Sequence, residues 1–166
     1  MRRLRRCPAT YTPDDRIAFA AGNRLLAGRR TLLRADGELT FADFTGANST
    51  VVVVDGNRIE ARDGSLLRYA LELPPRLVGV TPIVSPGGCS AAFRPLERPG
   101  RIVVVDLGCA PGRSPRTFFG RDAAWSPDGR WLAVAERKAI ALHRLVGRAR
   151  TIRWPAAAVH LAWRAG

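Results

Sequence analysis

Apolar and polar positions alternate along this chain in short runs separated by Gly, Pro, Asp and Asn. Such alternation predicts half-buried strands joined by tight turns. The segment WSPDGRWLAVAE, residues 125–136, shows the unit. Pro127 presets φ for a turn, and Asp128-Gly129 tolerates left-handed backbone. Trp125 precedes that turn, and Trp131, Leu132 and Val134 follow it in a β-prone run. Further strands are predicted over 139–145 and 149–154, and equivalent runs at 89–95, 101–107 and 116–119. The first half of the chain gives strands at 16–22, 23–29, 30–35, 49–55, 58–63 and 66–73. No segment keeps a helical period over about 11 residues or more.

The hairpin recurs. YTPDDRIAFAAG at 11–22 matches it, and IVSPGGCSAAF at 83–93 matches with Val84 in the place of Trp125. FTGANSTVVVV at 44–54 is a weaker copy, and AWRAG at 162–166 a truncated one. The repeat anchors Tyr11, Phe44, Val84, Trp125 and Trp163 are therefore spaced by 33, 40, 41 and 38 residues. Several short strands per unit at this period indicate a propeller rather than a helical solenoid. The predicted fold is all-β: a β-propeller-like array of about four four-stranded antiparallel blades. It follows a basic arm at 1–10 and occupies 11–166, with units near 11–43, 44–83, 84–124 and 125–166. Both CPATYTP at 7–13 and AVHLAWRAG at 158–166 read as inner strands, one more than a four-bladed ring needs. An open arc, or a fragment of a larger propeller, is the expectation.

WSPDGRWLAVAE followed by AIALHRL (139–145) resembles the repeat of TolB-like β-propellers, the WD40-like group built on the W-S-P-D-G (PD40) turn. The resemblance is close at 123–145 and fair at 82–107 and 11–22. It implies a bacterial protein-interaction platform, often exported to the cell envelope. TolB-like propellers usually have six or more blades. The start of this chain, MRRLRRCPAT, has the basic head of a signal peptide without the apolar region that would follow it.

Charge adds a second reading. The 166 residues carry 27 basic and 14 acidic side chains, a net charge of +13. All the basic residues but Lys138 are arginine, a bias that a GC-rich genome produces through codon usage. Codon usage does not account for the deficit of acids, so a polyanion partner is a candidate. The densest basic stretch, 136–153, carries Arg137, Lys138, Arg144, Arg148, Arg150 and Arg153, and is the candidate partner or polyanion patch. Trp125, Trp131, Trp154 and Trp163 either stack bases beside it or fill the space between blades.

Catalytic signals are sparse. There is no GxSxG elbow, no Gly-rich loop opening a helix, and no Cys/His spacing for zinc. Asp14 and Asp15 sit in a turn, where Asp has a structural role, and His143 and His160 stand alone in apolar strands. No catalytic residue, metal ligand or cofactor is expected. Pairing of the 89–95 and 101–107 strands would bring Cys109 within one diagonal step of Cys89, so a disulfide fits in an oxidising compartment but not in a reducing one. Cys7 is left over.

The leading expectation is a non-catalytic protein-interaction module that is not an enzyme. The alternatives are polyanion binding, including nucleic acid, through the arginine-rich face, and the detached propeller of a prolyl-oligopeptidase-like hydrolase. A protein partner is expected, with a homodimer through open blade edges as one form of it. No transmembrane segment is read from the sequence.

Overall fold

The computed structural model describes residues 9–109, 115–158 and 160–163. They form four four-stranded antiparallel sheets with no α-helix among them, as the strand pattern predicts. The chain divides into two compact units, one ending at Gly79 and the other beginning at Val80, with two sheets in each.

In the first unit, the first sheet runs β1 (Ala9–Tyr11), β2 (Ile17–Ala21), β3 (Arg24–Ala27) and β4 (Arg30–Arg34), each paired with the next. Its inner strand comes from the N-terminal candidate segment. The second sheet runs β5 (Leu39–Phe44), β6 (Ser49–Val54), β7 (Arg58–Asp63) and β8 (Leu66–Glu72). Alternation decides which residues meet. Ala18, Ala20, Leu25 and Leu33 of the first sheet pack on Ala42, Val52 and Val54 of the second. Alanines at this contact let two sheets approach closely, while each fully buried Val or Leu contributes roughly 1.5–3 kcal/mol. One carboxylate shares the Val52 face: Glu60 lies opposite Val52 in the register and is fully buried. It is held by Arg58 Nη2 at 2.8 Å and Arg62 Nε at 2.7 Å. A buried charge persists only when paired in this way.

In the second unit, the third sheet runs β9 (Ile83–Val84), β10 (Ser90–Phe93), β11 (Arg101–Asp106) and β12 (Arg116–Phe119). The fourth runs β13 (Ala123–Trp125), β14 (Trp131–Ala135), β15 (Ile140–Arg144) and β16 (Arg150–Trp154). Ala92, Ile102 and Val104 pack on Trp125, Leu132 and Val134. The Trp125 indole N–H donates to the Ile83 carbonyl at 2.8 Å, fixing the ring in place. Cys89 and Cys109 are joined by a disulfide whose Cα atoms are 5.3 Å apart.

Candidate functional site

Four of the repeat anchors occupy one structural position: Tyr11, Phe44, Val84 and Trp125 each end the first strand of their sheet. Two of them open turns built on the same hydroxyl–carboxylate clasp, the one after Tyr11 being a residue shorter. After Tyr11, the Thr12 hydroxyl donates to Asp14 Oδ1 at 2.6 Å and accepts from the Arg16 N–H at 3.0 Å. After Trp125, the Ser126 hydroxyl donates to Asp128 Oδ1 at 2.6 Å and accepts from the Trp131 N–H at 2.9 Å. The Thr12 hydrogen bond and then Arg16 hold the Asp14 carboxyl below the ordinary aspartate value. The Ser126 hydrogen bond and the Arg130 N–H do the same for Asp128. Asp15 takes the left-handed conformation in the first turn (φ 58°) and Gly129 in the second (φ 67°). A Cβ at Gly129 would stand 2.7 Å from the Pro86 carbonyl, so glycine is required there twice over.

The Thr12–Arg16 turn forms one wall of a cavity of about 440 Å³ in the first unit. The β4 residues Arg30 to Leu33, the β5–β6 turn around Asn48, and Leu25 and Phe44 also line it. The lining residues include two guanidinium groups, Arg16 and Arg30, and one carboxylate, Asp14. Arg16 spends its charge on Asp14, at 2.6 Å. Arg30 has no carboxylate partner among the described residues. The hydroxyls of Thr31 and Thr50 and the Asn48 amide add neutral hydrogen-bonding groups. The volume lies in the range of small-molecule sites, and the lining mixes apolar and polar side chains. Sequence reasoning did not find this site, because its residues come from separate turns and strands and share no motif.

The basic residues at 137–153 do not gather at one point. Arg137 and Lys138 lie in the β14–β15 turn, whereas Arg148 lies in the β15–β16 turn at the other end of the hairpin. Arg144 pairs with Arg150 in the register beside Arg148, and its guanidinium stands 6.0 Å from the Trp131 ring centre. Arg153 is neutralised by Glu136, both of whose oxygens are 3.2 Å from its Nε. Three arginines at one end and two cations at the other therefore replace a single continuous patch.

His143 lies against the Phe118 ring, 4.4 Å between centroids, with Thr151 Oγ1 3.1 Å from Nδ1. Burial, and then the Arg153 charge, lower its pKa. His160 is not in a strand; its Nδ1 is 3.7 Å from the Asp122 carboxylate. Asp122, which the sequence reading passed over, also accepts from the Leu161 N–H at 2.9 Å. Two residues on, the Trp163 indole donates to the Ala124 carbonyl at 3.0 Å. Cys7 lies outside the described residues. Among the described residues, no group of three or more His, Cys, Asp or Glu side chains converges as metal ligands would. No helix among them is long and apolar enough to cross a membrane.

No protein-family model matches the chain, and no curated protein sequence does. Solved structures match its fold. Two proteins provisionally named 6-phosphogluconolactonase are among them. The one from Bacteroides uniformis has a TM-score of 0.52 at 13% identity over 91% of this chain. The one from Bacteroides fragilis has a TM-score of 0.54 at 13% identity over 92% of it. The hydrazine synthase of Kuenenia stuttgartiensis has a TM-score of 0.54 at 16% identity over 89%. The chain spans about half the length of these proteins, 55%, 55% and 53% respectively. These likenesses support the propeller-type fold. They also overturn the reading of a non-catalytic module that is not an enzyme, which rests on the absence of a catalytic motif in the sequence. Proteins of the same fold bear the names of enzymes, and lack of a nucleophile elbow removes one mechanism, not catalysis.

Proposed function

We propose that the Arg16–Arg30 pocket binds a small anionic sugar derivative, of the class to which a phosphorylated sugar lactone belongs, as part of a propeller enzyme. The observation that carries this reading is Arg30, a guanidinium without a carboxylate partner among the described residues, on the wall of a cavity of about 440 Å³. A planar guanidinium suits a phosphate or carboxylate because two parallel N–H bonds reach two oxygens at once. Sugar hydroxyls match Thr31, Thr50 and Asn48, and an apolar ring face matches Leu25 and Phe44. Asp14, held ionised by Thr12 and Arg16, is a weak base and a good acceptor, which suits it to orienting a hydroxyl. The name 6-phosphogluconolactonase on two proteins of the same fold supports this ligand class.

The repeats themselves are read as TolB-like, of the PD40 type. The hydrogen-bonded Ser126-Pro127-Asp128-Gly129 turn and its Thr12–Arg16 counterpart support this.

Calorimetric titration with 6-phosphogluconate, gluconate and inorganic phosphate tests the pocket. The phosphorylated sugar acid should bind most tightly, and Arg30→Ala should weaken it by about tenfold or more, as loss of a charge-assisted pair does. Hydrolysis of the lactone above its spontaneous rate is the accompanying assay. Equal heats from the wild type and Arg30→Ala would remove the pocket from the account.

A further inference from the structure

The repeat places equivalent residues of two sheets in opposite environments. In the fourth sheet Trp125 pairs with Leu132, and Ala123 with Val134. In the first, Tyr11 pairs with Ile17, and Ala9 with Phe19. The matching turns align these positions, since Ser126 N–H donates to the Trp131 carbonyl as Thr12 N–H does to that of Arg16. Trp125, Leu132 and Val134 are 7%, 0% and 0% exposed, because the third sheet covers them. Tyr11, Ile17 and Phe19 are 69%, 60% and 36% exposed. Within the first unit and among the described residues, the first sheet therefore carries the receiving face of a blade contact left exposed.

The covering face is identifiable too. In the third sheet it consists of Ala92, Ile102 and Val104, with Phe118 reaching His143 of the following sheet. The register places Ala133, Ile140 and Leu142 at the equivalent positions of the fourth sheet, and Trp154 at that of Phe118. Ile140 and Leu142 are only half-buried, and Trp154 is 49% exposed. Each chain thus bears both halves of the contact that it already makes once inside its second unit.

We propose that these faces join two copies of the chain, the fourth sheet of one copy covering the first sheet of the other. Two observations favour a second copy as occupant. The chain supplies both complementary faces, and proteins of the same fold extend well beyond it, only 53–55% of each being covered. Trp163 already holds the Ala124 carbonyl at the inner edge of the fourth sheet. The contact therefore falls to β2 and β3, through Ile17, Phe19 and Leu26, against β14 to β16.

Sedimentation equilibrium of the full chain tests this with Ile17→Asp and Trp154→Asp. Both side chains are exposed in the single chain, and circular dichroism verifies that each variant keeps the fold. The wild type should associate, each variant alone should be monomeric, and an equimolar mixture of the two should recover a dimer through its one intact pair of faces. A monomeric wild type would overturn the proposal. So would a Trp154→Asp protein that still dimerises, since that result means two first sheets pair with each other.

Discussion

Trp163 donates its indole N–H to the Ala124 carbonyl, and in doing so repeats the bond from Trp125 to Ile83 one sheet further along. The acceptor in each case is the residue just before a repeat anchor, Val84 or Trp125. The two bonds differ in burial, and that difference is testable. Trp125→Ala should lower stability by about 3–5 kcal/mol, because it empties a packed site between two sheets. Trp163→Ala, at a half-exposed ring, should cost well under half as much. Urea midpoints of the two variants give the comparison.

Gly129 is constrained by both conformation and space. Gly129→Ala should destabilise by more than about 1 kcal/mol, since it adds left-handed strain to a clash with the Pro86 carbonyl. Asp15, in the same conformation at the matching turn, should accept glycine with little loss or a small gain. Thermal melts of Gly129→Ala and Asp15→Gly should therefore move differently, the first clearly downward.

The disulfide closes a segment of 20 residues between Cys89 and Cys109. Chain-entropy arguments give about 3 kcal/mol for a loop of that size. Cys109→Ser should lower the denaturation midpoint accordingly, and a reductant should then have no further effect. On protein made in an oxidising compartment, thiol titration under denaturing, non-reducing conditions should find no more than one free thiol of the three cysteines.

Acid should act through particular turns. Asp14 and Asp128 have lower pKa values folded than unfolded, so each stabilises the fold above the ordinary aspartate value of 3.8. That contribution is lost as pH falls through the folded value. Asp43 works in reverse, because burial raises its pKa despite the Thr10 hydroxyl, and its ionised form opposes folding. Asp14→Asn with Asp128→Asn should flatten the loss of stability at acid pH, whereas Asp43→Asn should raise stability near neutrality. Denaturant midpoints between about pH 2.5 and 7 separate the two effects.

The strands were legible because each hairpin declares itself locally. Trp131, Leu132 and Val134 alternate, and Pro127-Asp128-Gly129 marks the turn, so sheet order follows from chain order alone. The exposure of Tyr11 and Ile17 was not legible. Their residue types match those of buried counterparts, and only the presence or absence of a neighbouring sheet separates them. The pocket escaped notice for a related reason: Arg16, Arg30 and Asn48 are ordinary turn and strand residues until separate turns and strands converge. The basic stretch misled in the opposite direction, because residues contiguous in sequence are sent to both ends of one hairpin.

A nitrogen-15 NMR titration with 6-phosphogluconate locates ligand binding on the chain. The pocket predicts saturable amide shifts at Thr12 to Arg16, Arg30 to Leu33 and Asn48 to Thr50. Shifts confined to the arginine-rich ends of the β15–β16 hairpin, around Arg144, Arg148 and Arg150, or no shifts at all, would contradict it.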